Sequence, residues 1–529
     1  MTTALRTVHP AAALAREHLR GLGSGIDLTV DWAGPVESPL VDEYLVQAAC
    51  GIMHVHGRAR GEPVPLAVDY ATAVAGVLAA QGVLAAVFGG ARAVRTSVAQ
   101  AALLSVGQYV VSEQPPEIDG DPPPFVSADG VRFELETLRA EDWQRFWRHV
   151  GAPEPALRRG WDPFVRRFAT AVCPLPAALH DTLSRQPFAA AVAAGRAGGV
   201  SVVPMANVPA GPLWALRPLP GSSARCVSPD VSAPLRGLRV VEATRRVQGP
   251  LAGHVLRMLG ADVLRIEPPG GDPARGTARF AALNAGKAVV ELDLATTGGR
   301  AAARELVANA DVFVHNWAPG RAESWRLDAT DLAAVRPGLV YAAASGWGSA
   351  MGEDPPLGTD YVVQAHSGLA AAVRPPGEPP APSLMTITDV LGGLVCALGV
   401  LTGLTRRTGT RVDSSLLSAT GAISGRRRDF RRPLRTADGY VAIPRAATGP
   451  ALGGTTASCR ESTEAVVGHC VAFYHIGEHS PSAAESTDDV LARLAEAGVP
   501  AVAVTTDLGI LATDPRFAAA HHRPPWEFS

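Results

Sequence analysis

Lys287 is the sole lysine of a chain that holds 48 lysines and arginines together. Composition of this Ala/Arg/Gly-rich kind replaces lysine by arginine wherever either serves. A lysine that persists marks a place for a compact point charge rather than a planar fork, or it is a chance survivor. A second candidate is the pair Thr359-Asp360, which precedes an apolar run. Its plainest reading is a helix cap. Arg245, Arg246, Arg275 and Arg321 fall near expected strand ends, where guanidinium groups can bind phosphate or stay solvated. His469, Cys470, His475 and His479 match no trusted metal-ligand spacing and read as loop. The six cysteines are scattered, with no C-x-x-C pair, against a zinc ribbon or a thioredoxin-like site.

The elements that must position these groups follow from the apolar pattern. Leu238–Glu242, Asp262–Ile266, Asp311–Val314 and Leu339–Ala343 read as buried strands. Leu251–Leu259 and 299–309 between them read as helices, the first stopped by Gly260. Strands alternating with helices predict a parallel sheet covered on both faces. Ligands then bind beyond the carboxyl ends of the strands. No G-x-G-x-x-G follows the first strand, so a dinucleotide fingerprint is absent.

An internal repeat organises the rest. Glu43-Tyr44-Leu45-Val46-Gln47 resembles Asp360-Tyr361-Val362-Val363-Gln364 at an offset of 317 residues. Gly51 matches Gly368 and Gly76 matches Gly393 at the same offset. The expected organisation is a partial first copy over 1–210, a Pro/Gly-rich linker over 211–234, and a fuller copy over 235–529. The first copy has no counterpart of the sheet-forming segment. The stretch 448–487 shows no clear period, and an altered reading frame is one explanation of it.

The order of motifs in the second copy resembles the class III CoA-transferase family, which includes carnitine-dehydratase-like proteins and α-methylacyl-CoA racemases. The blocks are Leu238–Glu242, Gln248-Gly249-Pro250, Leu259–Glu267, Gly271-Asp272, Leu283–Lys287 and Leu292-Asp293-Leu294. Ala310–Gly320, Ser345–Gly348, Asp360–Ala365, Asp389–Gly393 and Gly498–Ala501 follow. The resemblance implies an α/β protein with a Rossmann-like parallel-sheet large domain and a smaller α+β domain, in an interlocked topology. It implies Asp360 as the nucleophile. It implies CoA contacts at Val247, Gln248, Asn284, Ala285, Gly286, Lys287, Asn316, Trp317 and Ala318, with Lys287 meeting a phosphate. Coenzyme A enters as acyl-CoA substrate, with no permanently bound cofactor and no metal. A small carboxylic acid is the other substrate.

Four departures stand out: Pro268 where a basic residue is usual, a shortened segment between Gly271-Asp272 and Asn284, a short segment over 423–436, and no glycine-rich loop of the kind transferases use. Glu43, at the aspartate's place in the first copy, reads as structural. The partner is expected to be the other copy, in an intramolecular pseudo-dimer, or a second chain in a homodimer. Transfer between an acyl-CoA and a carboxylic acid is the leading expectation. An α-methylacyl-CoA racemase using His315 or His366, and a degenerate non-catalytic CoA binder, are its rivals. Thr359, where racemases carry histidine, favours transfer. A formal net charge of −2 suits no nucleic-acid partner. Apolar runs broken by Gly, Pro or Arg predict no membrane span, and Met1–Pro10 shows no secretory block, so a cytoplasmic location is expected.

Overall fold

The computed structural model describes residues 8–22, 25–110, 120–222, 229–423, 430–444, 484–521 and 523–529. The histidine and cysteine cluster at 469–479, and nearly all of 448–487, lie outside them.

The alternating pattern builds one seven-stranded sheet. Its strands are β1 (Trp214–Ser222), β2 (Arg239–Ala243), β3 (Asp262–Glu267), β4 (Ala288–Glu291), β5 (Val312–His315), β6 (Val340–Ser345) and β7 (Thr408–Ser415). Their order across the sheet is β1-β7-β6-β5-β2-β3-β4. The last six are mutually parallel, with Val312 opposite both Val240 and Val340. Val240-Val241, Val312-Phe313-Val314 and Val340-Tyr341-Ala342 are buried throughout, as strands covered on both faces must be. The chain runs outward from β2 to β4, then crosses to β5 on the other side of β2. The reversal opens a crevice beyond the carboxyl ends of β2 and β5.

The four expected strands and both helices appear, with ends moved by at most three residues. β4 and β7 were not anticipated. The expected linker is partly ordered. Trp214–Ser222 pairs antiparallel with β7 as the edge strand. Its Pro218 and Pro220 are tolerable there because an edge strand leaves one side of its backbone unpaired.

Three smaller sheets flank this one. Phe125–Val126, Arg132–Glu136 and Ser201–Pro204 form an antiparallel sheet in the first half, and Leu434–Arg435, Tyr440–Ala442 and Val502–Ala503 form another in the second. Asp27–Asp31 and Ala93–Ser97 pair in parallel, and Glu527–Phe528 closes on the latter.

Two long apolar helices, α1 (Tyr70–Gly89) and α2 (Ile387–Thr405), join the halves in a single apolar core. Gln81 Nε2 donates to the Leu394 carbonyl at 2.7 Å, and Gln108 Nε2 donates to Thr386 Oγ1 at 2.7 Å. The expectation that glycines would interrupt these runs is corrected: by length and composition both helices could cross a membrane, yet both lie buried inside the protein. The glycines serve contact instead. A Cβ on Gly393 would lie 2.6 Å from the Gln248 carbonyl oxygen and 2.9 Å from Leu251 Cβ.

Candidate active site

Asp360 opens a short helix, α3 (Asp360–His366), whose first residues pack under α2. Its carboxylate is fully buried but not among hydrocarbon. Thr388 Oγ1 donates to Oδ2 at 2.8 Å, the Asp389 N–H donates to the same oxygen at 2.7 Å, and Gln364 Nε2 donates to Oδ1. Gln364 is itself fixed: it donates to the Ser383 carbonyl at 3.0 Å and accepts from the Ser383 N–H at 2.8 Å. Burial raises the Asp360 pKa, and the neighbouring Asp389 carboxylate raises it further, against these hydrogen bonds. Asp389 is also raised by burial, opposed by Arg246 and Arg279.

The first half repeats this arrangement. Glu43 Oε1 accepts from Gln47 Nε2 and the Ala71 N–H, both at 2.9 Å, and Oε2 accepts from the Thr72 N–H at 2.8 Å and from Thr72 Oγ1 at 2.6 Å. Gln47 accepts from the Leu66 N–H at 2.9 Å and donates to the Val68 carbonyl at 3.0 Å. Each of these positions lies 317 residues before its counterpart at 360, 364, 383, 385 and 388–389. Glu43 is buried, like its counterpart Asp360.

The crevice predicted by the strand order is present. A cleft of about 500 Å³ is lined by His315, Trp317, Ala318, Ser345, Trp347 and Ser415, among others. Gln248 lies behind it, donating from Nε2 to the Ser345 carbonyl at 3.2 Å, with Gly392 of α2 close against its amide. Asn316 closes the turn after β2: its Oδ1 accepts from the Arg245 N–H at 2.9 Å and its Nδ2 donates to the Arg245 carbonyl at 2.8 Å. The next residue, Arg246, has φ +72°, a left-handed conformation rare outside glycine and held only where the surroundings impose it. Its guanidinium stands 5.8 Å from the centre of the Phe168 ring. A larger hollow lies at the opposite, amino end of the strands, near Arg239, Asp262 and Ala288. It is remote from Asp360.

Lys287 does not meet the cleft. Its ammonium is buried and donates to Glu242 Oε1 at 2.9 Å, the Pro250 carbonyl at 2.7 Å and Asn284 Oδ1 at 3.1 Å. Glu242 also binds Arg265 at 3.2 Å, Arg265 binds Glu267 at 3.0 Å and Asp272 at 2.5 Å, and Arg275 binds Glu267 at 2.7 Å. Three cations and three carboxylates therefore balance. The ammonium's donors are all used, so a phosphate finds no free charge there. In this structure the contacts of Lys287 are to Glu242, Pro250 and Asn284. Gly253 shows how tightly this is built: a Cβ there would sit 1.7 Å from Glu242 Oε2. Asn284 belongs to the same network. Ala285 and Gly286 form the turn before β4, with Arg257 lying directly over Gly286. Val247 is buried at the start of the helix that Gln248 opens.

Of the two histidines considered for proton exchange, His315 lines the cleft but neither bonds Asp360. His315 Nδ1 accepts from the Trp317 N–H at 3.3 Å, and Nε2 lies 2.8 Å from the Tyr341 hydroxyl. Burial, aided by Arg411, lowers its pKa to about 3, so it stays neutral. His366 ends α3, at the opposite end of that helix from Asp360. No histidine hydrogen-bonds Asp360 among the described residues. Sequence reasoning also missed Gln364, Thr388 and Asp389 as site residues. The repeated Gln47 and Gln364, four residues after each acid, was the available signal.

These features meet in one family. The profile of CoA-transferase family III matches residues 32–211 and 235–428, and the chain belongs to that family. Among curated relatives, the succinate–glutarate CoA-transferase of Agrobacterium fabrum is 30% identical over 215 residues, covering 37% of this chain and 54% of the relative. The alpha subunit of succinyl-CoA–L-malate CoA-transferase from Chloroflexus aurantiacus is 36% identical over 183 residues, covering 32% and 43%. The mouse α-methylacyl-CoA racemase is 34% identical over 195 residues, covering 36% and 50%. The chain thus spans about half the length of the curated relatives it matches. A solved CAIB/BAIF family protein from Brucella suis is 27% identical, with a TM-score of 0.45, over 54% of this chain and 88% of that one.

Proposed function

We propose that the chain is an acyl-CoA:carboxylate CoA-transferase with Asp360 as nucleophile. The observation that carries this reading is the Asp360 carboxylate, held at the start of α3 by donors to both oxygens, in a chain of this family. The carboxylate attacks the thioester carbonyl of the donor, forming a mixed anhydride and releasing CoA thiolate. The thiolate attacks the Asp360 carbonyl of that anhydride, which leaves an aspartyl-CoA thioester and frees the donor acid. The acceptor carboxylate attacks the thioester and expels thiolate again. The thiolate then takes the acceptor's acyl carbonyl, and Asp360 returns to carboxylate. Covalent catalysis divides one difficult exchange into easier ones.

Asp360 is closed off in this conformation, so acyl-CoA must part the segment above it. Gly346 and Gly358 are the tight contact there: a Cβ on Gly346 would fall 2.4 Å from the Gly358 carbonyl oxygen. The cleft with Trp317 and Ala318 lies against the other side of the 345–348 turn and suits the CoA arm. The same reading makes the seven-stranded sheet Rossmann-like. It makes the halves a partial tandem duplication, supported by the hydrogen-bond set recurring at constant offset. The first half fills a partner's place in an intramolecular pseudo-dimer, and the chain works in the cytoplasm. Several relatives are named for succinyl-CoA and short dicarboxylates, so succinyl-CoA is the first donor to test.

The test is incubation with acyl-CoA and hydroxylamine, followed by peptide mass spectrometry. A hydroxamate on Asp360, absent in Asp360→Asn, is the expected result. Solvent deuterium entering the α-carbon without an adduct means racemisation. Neither product means a CoA binder without chemistry, and either of these last outcomes overturns the proposal.

A further inference from the structure

The residue before each acid of the repeat is used differently. In the first half Asp42 caps the helix Glu43–Ala49, its Oδ1 accepting from the Leu45 N–H at 2.9 Å. In the second half Thr359 holds the same place but accepts no hydrogen bond from its own helix. Its hydroxyl donates instead to Glu136 Oε2, on the strand Arg132–Glu136 of the first half. Threonine at a helix start is ordinarily kept for capping, so this diversion needs a reason.

Glu136 is wholly buried and pairs with Arg167, whose Nη2 lies 3.2 Å from the same Oε2 and 3.1 Å from the Leu135 carbonyl. The Arg167 guanidinium sits 3.6 Å from the centre of the Phe164 ring and 4.8 Å from that of Tyr361. The Tyr361 hydroxyl meets the Arg167 carbonyl at 3.1 Å. Both chain neighbours of Asp360 are therefore tied to the first half: Thr359 to Glu136, and Tyr361 to Arg167. Glu136 Oε1 meets no hydrogen-bond partner among the described residues, and Arg167 has the Cys173 thiol as a further neighbour. A buried ion pair with an acceptor left unpartnered is a poor stabilising device, which points away from a purely structural purpose.

We infer that Glu136 and Arg167 are positioning residues that the first half supplies to the nucleophile of the second. The inference rests on Asp360 being that nucleophile. The pair fixes the start of α3 from outside, so the Asp360 carboxylate keeps its angle to the incoming thioester when the segment above it opens. The second half alone lacks this brace.

The experiment follows the rate of hydroxylamine-trapped Asp360 adduct against acyl-CoA concentration. Glu136→Ala and Thr359→Val should each slow adduct formation at saturation, by about 100-fold for a displacement near 1 Å, with KM for acyl-CoA little changed. The double variant should be no slower than the slower single one, since both remove the same contact. Thr359→Ser, which keeps the hydroxyl, should recover most of the rate. Should Glu136→Ala fail to fold, the Thr359→Val and Thr359→Ser pair carries the test. Wild-type rates in Thr359→Val, multiplicative losses in the double variant, or a loss that Thr359→Ser shares would overturn the inference. A wild-type protein with no Asp360 adduct at all sinks the nucleophile itself, and the inference with it. Adduct in wild type with Thr359→Val unaffected sinks only the inference.

Discussion

If Asp360 is the nucleophile proposed above, its surroundings set when it can act. Burial and Asp389 both raise its pKa, while attack requires the ionised form. Adduct formation should therefore rise with pH across a limb above the ordinary carboxylate range. A flat profile from pH 5 upward would contradict that environment. Glu134 offers a stability counterpart. Burial pushes its pKa up to about 8, so the native state keeps a proton that the unfolded chain releases. Stability is then highest below the unfolded value and falls as pH rises toward 8. Glu134→Gln should remove this slope and raise stability at pH 9 by on the order of 2 kcal/mol. Urea unfolding at pH 5 and pH 9 measures both. Lys287 makes a third test at this scale. Lys287→Met leaves Glu242 buried with one cation fewer, and should cost about 3 kcal/mol. Loss of CoA affinity at unchanged stability would instead restore the phosphate contact.

The strands deliver backbone ends to the crevice, and α2 delivers Thr388 and Asp389 to Asp360. That delivery depends on how closely α2 approaches the helix Gln248–Met258. Gly393 sets the distance, because a side chain there meets the Gln248 carbonyl and Leu251. Gly393→Val should lower stability by about 1–3 kcal/mol. It should also move Gln248 away from Ser345, so the urea midpoint and the acyl-CoA KM change together. A lowered midpoint with unaltered KM would show that Gln248 does not position the substrate. The expected phosphate site at Asn284–Lys287 turns on pairing at this same scale. Sequence spacing placed Lys287 just before a strand, but only the fold shows that Glu242 of the neighbouring strand claims its charge.

At the scale of the whole molecule the two halves share one interior. α1 and α2 come from different halves, and Gln81, Gln108 and His56 bond across the join, the last at 2.8 Å to Ser383 Oγ. Neither half covers its own apolar helix alone. Thermal unfolding should therefore show one cooperative transition for both halves. Two separated transitions, one per half, would contradict a shared core.

Much was legible from the chain alone. The alternation of apolar runs gave the parallel strands, because a strand buried on both faces can hold little else. The order of motifs gave the family, and the constant offset of 317 residues marked Glu43 and Asp360 as counterparts. These are local or periodic properties, written in residue type and spacing. Which charges are already neutralised is not such a property. Lys287 and Glu242, Thr359 and Glu136, Arg167 and Tyr361 are far apart along the chain and become partners only when the sheet, the long helices and the first half close together. Tertiary structure decided that Lys287 is spent inside, that His315 is held neutral, and that the first half reaches both chain neighbours of Asp360. A buried charge must find its partner wherever packing places one, and no spacing along the chain records that choice.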